Sequence, residues 1–447
     1  MPSLVDLSPL VNAFKIPDLK RRLIITGLLL AVYRIGCYVP TPGIDGGELA
    51  RLFKQVSETQ GGALFGIINM FSGGAMERLT IFALGIMPYI SSSIIMQLLT
   101  AVIPALEKLA KEGRAGYEKM NQITRYGTVV LSIIQSYFIA LWLEHFQGFQ
   151  IVMNPGLGFR IITVLTLTTG TIFIMWLGEQ IQEKGIGNGI SLIIAAGIIS
   201  RIPTAFNQLY AMIFPLSHRT IQPFTMIIMA VLLVGVVFSV IMITQAIRKI
   251  PVQYARRIVG RKIYGGASTY IPLKVDQSGV IAIIFAQSII LFPATLASFI
   301  PNPGFKNLAE NLVRGHFLYT AIYGLLIIFF CYFYTAIVFN PNDLADDMKK
   351  HGGFIPGIRP GTPTAEFLDF VMTRITLAGA LFIMVIAIFP DFIMAVLKVP
   401  YLVASFFGGT GILITVGVML DTLKQIESHL LTHHYEGFIK SGIKGRK

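Results

Sequence analysis

The sequence predicts an all-α polytopic membrane protein, ten transmembrane helices in two five-helix halves related by an inverted repeat. Three observations predict it. Hydrophobic residues make up 54% of the 447-residue chain, charged ones 13%, and mean hydropathy is +0.69; a soluble domain has about 25% charged residues. The apolar residues lie in long runs, each near the ~20 that a helix needs to cross the hydrocarbon. The runs do not alternate as the strands of a membrane β-barrel do. In lipid each must satisfy its own backbone hydrogen bonds, which leaves the α-helix.

The elements follow in order. Residues 1–22 form a polar, basic segment, and no small-residue cleavage pattern follows the first apolar run, so that run reads as a retained span. The first half, 23–210, holds spans at Leu23–Val39, Leu79–Ile103, Gly127–Leu143, Ile161–Gly178 and Gly189–Tyr210. The second, 211–420, holds Phe224–Ile247, Gly279–Ile300, Phe317–Phe339, Phe367–Phe389 and Tyr401–Leu420, and a polar tail occupies 421–447. Five spans per half reverse the orientation of the second copy, as in inverted repeats. Twenty-five of the 36 Lys and Arg residues fall on the side of the N-terminus and nine on the other. Basic residues collect on the cytoplasmic side, which places both termini in the cytoplasm. Cys37 and Cys331 lie in or beside apolar runs and read as packing residues.

Catalytic and energy-coupling chemistry is missing from the pattern. There is no G-x-x-x-x-G-K-[ST] loop. The histidines lie in loops or the tail; His429, His433 and His434 have helical spacing for a metal but read as a solvated tail. Glu179, Asp369, Asp391 and Asp421 sit near span ends, whereas ion-coupled transporters place ionisable groups at mid-membrane. No cofactor is implied. A secondary transporter of a small solute is the rival reading, and a membrane enzyme the third.

Five segments carry more information. Residues Gly61–Gly85 contain a short apolar stretch, Ala63–Phe71, bracketed by Gly61–Gly62 and Gly73–Gly74 as flexible hinges. At ~1.5 Å per residue it makes about half a bilayer, and it either re-enters the protein or lies at the interface. Next, Pro88 falls inside the second span, where it predicts a kink; Ser91, Ser92, Ser93 and Gln97 then give that helix a polar face, for a neighbouring helix or a wet path. In Gly178–Ile194, Gly185, Gly187 and Gly189 make a tight turn and Asn188 an N-cap for the fifth span. Finally there are two long inner loops. Residues 248–276 carry seven positive charges and one negative, with Tyr254, Tyr264 and Tyr270 interleaved, a patch suited to ribosomal RNA, an acidic protein or anionic lipid. Residues 340–366 present Arg359 among prolines and glycines.

Together FSGGA (Phe71–Ala75), IFALGIMPYIS (Ile81–Ser91), EKGIGNGIS (Glu183–Ser191), LFPAT (Leu291–Thr295), PGIRPG (Pro356–Gly361) and FGGT (Phe407–Thr410) closely resemble the SecY family, the pore-forming subunits of the Sec protein translocon. The resemblance covers nearly the whole chain. It implies a passive channel conducting unfolded secretory proteins across the bacterial inner membrane and releasing hydrophobic segments sideways into lipid. Carried over by residue, it implies a pore ring of Ile86, Ile90, Ile190, Ile194, Ile284 and Ile414. The plug becomes residues 62–73, with Gly62, Leu64, Phe65, Ile67, Ile68, Met70 and Phe71. The lateral gate lies between the second and seventh spans, with Ser91, Gln97 and Phe292. Arg256, Arg257, Arg261 and Arg359 are docking charges for the motor ATPase SecA and the ribosome. SecE and SecG are the small membrane subunits it implies. The stretch Val399–Phe406, before the tenth span, is longer than the family pattern.

Overall fold

The computed structural model describes residues 16–58, 69–145, 151–213, 223–254, 257–259, 262–264, 268–299, 317–397, 399, 401–406 and 408–444. Helices stand at all ten predicted places. The first half contains α1 (Pro17–Gly36), the short α2 (Gly46–Glu58), α3 (Met87–Val102), α4 (Pro104–Lys111), α5 (Arg114–His145) and α6 (Leu157–Lys184). Its last span is α7 (Gly189–Ile199), continued after a turn by α8 (Ile202–Ile213). The second contains α9 (Pro223–Gln245), α10 (Ile281–Phe299), α11 (Phe317–Val338), the polar α12 (Pro341–Lys350), α13 (Thr362–Leu397), α14 (Tyr401–Phe406) and α15 (Thr410–Lys444). Among the described residues, seven helical stretches are long and apolar enough to cross a membrane unaided.

Each half packs on itself and meets the other along two seams. Within the first, α5 packs on α3 and α6, α6 on α1 and α7; within the second, α11 packs on α10 and α13. One seam sets α10 against α3 and α5, the other α15 against α7 and α14 against α8. Lipid is as apolar as leucine, so packing within each half, as between them, relies on close approach of small residues. A Cβ at Gly170 of α6 would overlap the Ile81 carbonyl, and one at Gly189 of α7 the Gly178 carbonyl.

Two expectations are corrected. The second span is shorter than Leu79–Ile103, because residues 80–86 form turns and the helix begins at Met87. Pro88 therefore lies in the first turn, whose N–H groups have no intrahelical acceptor, and starts the helix without kinking it. The sharp bend, 102°, comes instead at Ile103, between α3 and α4, where Pro104 forbids helical geometry in the residue before it. In the tail, α15 continues unbroken beyond Leu420 to Lys444.

The loop 248–276 holds strands, which the all-helical pattern did not predict. β1 (Ile247–Tyr254) pairs antiparallel with β4 (Ser268–Lys274), and a small hairpin, β2 (Arg257–Val259) with β3 (Lys262–Tyr264), lies between them in sequence. β5 (Gly353–Phe354), from the second long loop, pairs with the other edge of β1 at Gln253 and Tyr254. Ile250, Val252 and Leu273 pack beneath on Met348, Ile355, Leu368 and Met372. Two loops separated by two membrane helices thus fold as one unit.

Candidate functional site

Six isoleucines from four helices, two in each half, fall in one apolar cluster shared by both halves. Ile86 and Ile90 stand at the start of α3, where the Ile90 N–H donates to the Ile86 carbonyl at 3.1 Å and sets them one turn apart. Ile190 and Ile194 lie on α7, Ile284 on α10 and Ile414 on α15. Five of the six are no more than 6% exposed. All belong to one apolar cluster, Ile190 at its half-buried margin, and Met70, Phe71 and Ile198 share it.

Local chemistry places each of them close to a helix start. Gly85, at φ +57°, turns the chain into α3. Gly187, at φ +90°, delivers it to Asn188, whose side chain accepts from the Ser191 N–H at 3.2 Å, the predicted N-cap of α7. Asp276 Oδ1 accepts from the Gly279 N–H at 2.7 Å ahead of α10. Gly409, at φ +87°, opens α15. A Cβ at Gly409 would press on Pro390 of α13, so the FGGT glycines serve close packing as well as the turn.

On one side of the isoleucines lies a cavity of about 450 Å³, walled by Ile90, Ile190, Ile194 and Ile284 and by the polar Ser93, Gln97, Asn188 and Ser191. A second, of about 460 Å³, shares Asn188 and Ser191 with it and reaches Lys274, Asp276, Asp421 and Lys424. The funnel formed by these two cavities therefore carries polar groups among apolar ones, and the first cavity also meets isoleucine side chains that offer neither donor nor acceptor. Aliphatic side chains give water and ions no hydrogen-bond partner.

The other side is closed by residues 69–85. Asn69 and Glu77 clasp each other: Asn69 Nδ2 donates to Glu77 Oε2 at 2.9 Å, and the Glu77 N–H to Asn69 Oδ1 at 3.0 Å. Gly73 and Gly74 have φ of +65° and +88°. They are close-packed where flexible hinges were expected. A Cβ at Gly73 would come within 3.1 Å of Gly197 Cα in α7, and Arg34 Nη1 donates to the Gly73 carbonyl at 2.7 Å.

The SecY family model matches residues 80–423. The chain is 48% identical to the protein translocase subunit SecY of Escherichia coli K12 over 434 residues, 96% of each chain. It is 42% identical to that of Thermotoga maritima over 441 residues, 98% of this chain and 99% of the other. The chain belongs to the SecY family. Among solved structures it resembles one described as a protein-conducting channel (TM-score 0.61, 17% identity, 95% and 97% of the chains covered). It also resembles Sec61 in the canine ribosome–channel complex (0.56, 17%, 95% and 97%). These distant likenesses bear on the fold. Family membership makes the chain a channel subunit of protein translocase, a multi-pass protein of the inner membrane and not an enzyme. The transporter reading falls with it.

The other predicted site residues lie as follows. Gly62, Leu64, Phe65, Ile67 and Ile68 fall outside the described residues, as do Arg256 and Arg261; Phe292 stands on α10 and Arg257 on β2, their side chains likewise undescribed. Gln97 lines the funnel and donates to Ser93 Oγ at 3.3 Å. Ser91 is half-buried. Its neighbour Ser92 faces α5, donating to the Thr124 carbonyl at 2.8 Å. Phe285, which the sequence reading missed, also lines the funnel, and so does Ser93, read from the sequence as part of a polar face. The spacing of Ile90, Ser93 and Gln97, three and seven residues along one helix face, was the available signal. Arg359 is exposed in a turn flanked by Gly357 and Gly361, both at positive φ, with its carbonyl accepting from Thr364 Oγ1 at 2.9 Å.

Proposed function

We propose that the six isoleucines form the seal through which an unfolded polypeptide is threaded, and that Met70 and Phe71 belong to a plug over residues 62–73 closing it from the far side. The observation that carries this reading is that residues from α3, α7, α10 and α15 meet in the same buried cluster as Met70 and Phe71. A seal built from both halves widens when the halves separate. The seam of α3 against α10, which bears Gln97 and Phe292, is the lateral gate by which hydrophobic segments pass into lipid. Ser91 is retained as a gate residue beside them.

Both termini face the cytoplasm, with the basic ribbon and the Arg359 turn. Together these form the docking surface for SecA and for the ribosome, with Arg256, Arg257 and Arg261 on the ribbon. The canine neighbour's ribosome-bound state supports the ribosome as a partner. SecE and SecG complete the channel, and energy comes from the docked partner.

Replacing Ile86, Ile194 and Ile284 with Asn puts amides where the constriction is dry. Resting ion conductance in planar bilayers is expected to rise by roughly tenfold or more, a change of ~1.4 kcal/mol in the closed–open balance. Conductance equal to that of the unaltered chain removes the ring.

A further inference from the structure

Beyond the ring, on the side away from the funnel, one ion pair joins the two structures that close the channel there. Arg201 occupies the turn that breaks the fifth span between α7 and α8, seven residues and ~10 Å of helix past Ile194. Its Nη1 donates to Glu77 Oε2 at 2.9 Å. The same carboxylate oxygen takes the Asn69 amide, and Asn69 is itself buried. The guanidinium rests on Gly74: a Cβ added there would stand 3.0 Å from Nη1 and 3.5 Å from Cδ. Residues 69–77 are thereby pinned to the end of the helix that carries Ile190 and Ile194.

The pair is built to let go. The Arg201 side chain is 14% exposed, and its buried Nε has no acceptor among the described residues. Glu77 is 44% exposed, so water has access to the acceptor end. Solvation of the freed carboxylate offsets part of the cost of separating the pair.

We propose that Glu77 and Arg201 form a latch, seated on Gly74 and braced by Asn69, that keeps residues 69–77 against the fifth span in the resting channel and parts when the pore widens. The proposal rests on the isoleucine ring being the seal. Glu77 and Arg201 are positioning residues: they touch no transported chain in the resting state, and they act on the seal through the backbone at Gly73–Gly74 and through α7.

The test uses the full chain in planar bilayers with the Ile86, Ile194 and Ile284 variant alongside. Glu77→Gln and Arg201→Gln each raise resting ion conductance, by roughly tenfold if the latch holds one decade of the closed–open equilibrium. The charge swap Glu77→Arg with Arg201→Glu brings it back toward the unaltered level, a rescue that general destabilisation does not produce. Should a single variant fail to accumulate, Glu77→Asp, which keeps the charge and shortens the reach, is read in its place. Single variants as tight as the unaltered channel, beside a leaking ring variant, overturn the latch and leave the ring standing. Leaking singles that the swap does not rescue overturn the pairing. A ring variant that does not leak overturns the seal, and the latch with it.

Discussion

Asp276 shows how a residue that places the site also carries a cost. It caps the turn into α10 by accepting from the Gly279 N–H and, at 3.3 Å, from Ser278 Oγ. Burial pushes its carboxyl above the usual carboxylate range; the Gly279 and Ser278 hydrogen bonds and Lys274 oppose that shift, while Asp421 adds to it. In the unfolded chain the group loses its proton at a lower pH than in the folded one. Between the two values the folded state binds more protons, so stability falls as pH rises through that interval. Asp276→Asn keeps the Oδ1 acceptor and removes the charge. Tm in detergent, followed from mildly acidic to neutral pH, is expected to rise for the variant at neutral pH and to lose part of its pH slope. An unchanged profile means that Asp276 ionises in the folded chain without penalty. The cap was not legible in the sequence, because one acidic residue in a basic loop carries no pattern. Asn188 was, because it stands directly before a helical run and after a glycine turn. The ring isoleucines are the opposite case: any isoleucine in a membrane helix faces lipid or core, and only the surrounding motifs singled out these six.

At the scale of elements, apolar runs located the helices well and their ends poorly. Hydropathy averages over a window, so it joined residues 80–86 to α3 although Gly85 turns the chain there, and it stopped the tenth span at Leu420 although the helix runs on. The β-ribbon was hidden because charge dominated the reading of 248–276. The alternate buried pair Ile250 and Val252 was its faint strand signal. Its consequence is mechanical. Because β5 adds to β1, the Arg359 turn is carried on the same small core as the ribbon. Arg359→Glu reverses one exposed charge without touching that core, so the chain is expected to insert and fold normally. Under the proposed docking role, its affinity for SecA or ribosomes falls roughly tenfold at low salt and less at high salt, since the interaction is screened. Translocation and binding as efficient as those of the unaltered channel take Arg359 off the docking surface.

For the whole molecule, the two-seam architecture sets where a travelling chain must be. α10 meets α3 and α5 on one side and α15 meets α7 on the other, so a path through the centre passes Ile90 and Ile284 from opposite halves. A solute carrier would bind its cargo in a polar midplane site; here the centre is apolar and the polar groups line the funnel before it. Single cysteines at Ile90 and at Ile284, combined with a secretory chain stalled part-way by a folded domain, distinguish a threaded path from a lipid-facing one. Both positions are expected to cross-link to the same short stretch of the stalled chain, because Ile90 and Ile284 share one cavity wall. A control cysteine at Leu325, on the 67%-exposed face of α11, should stay unreacted. Cross-links at Leu325 but not at Ile90 and Ile284 would mean that the chain passes outside the bundle, since a polypeptide inside the ring cannot avoid contact with both halves.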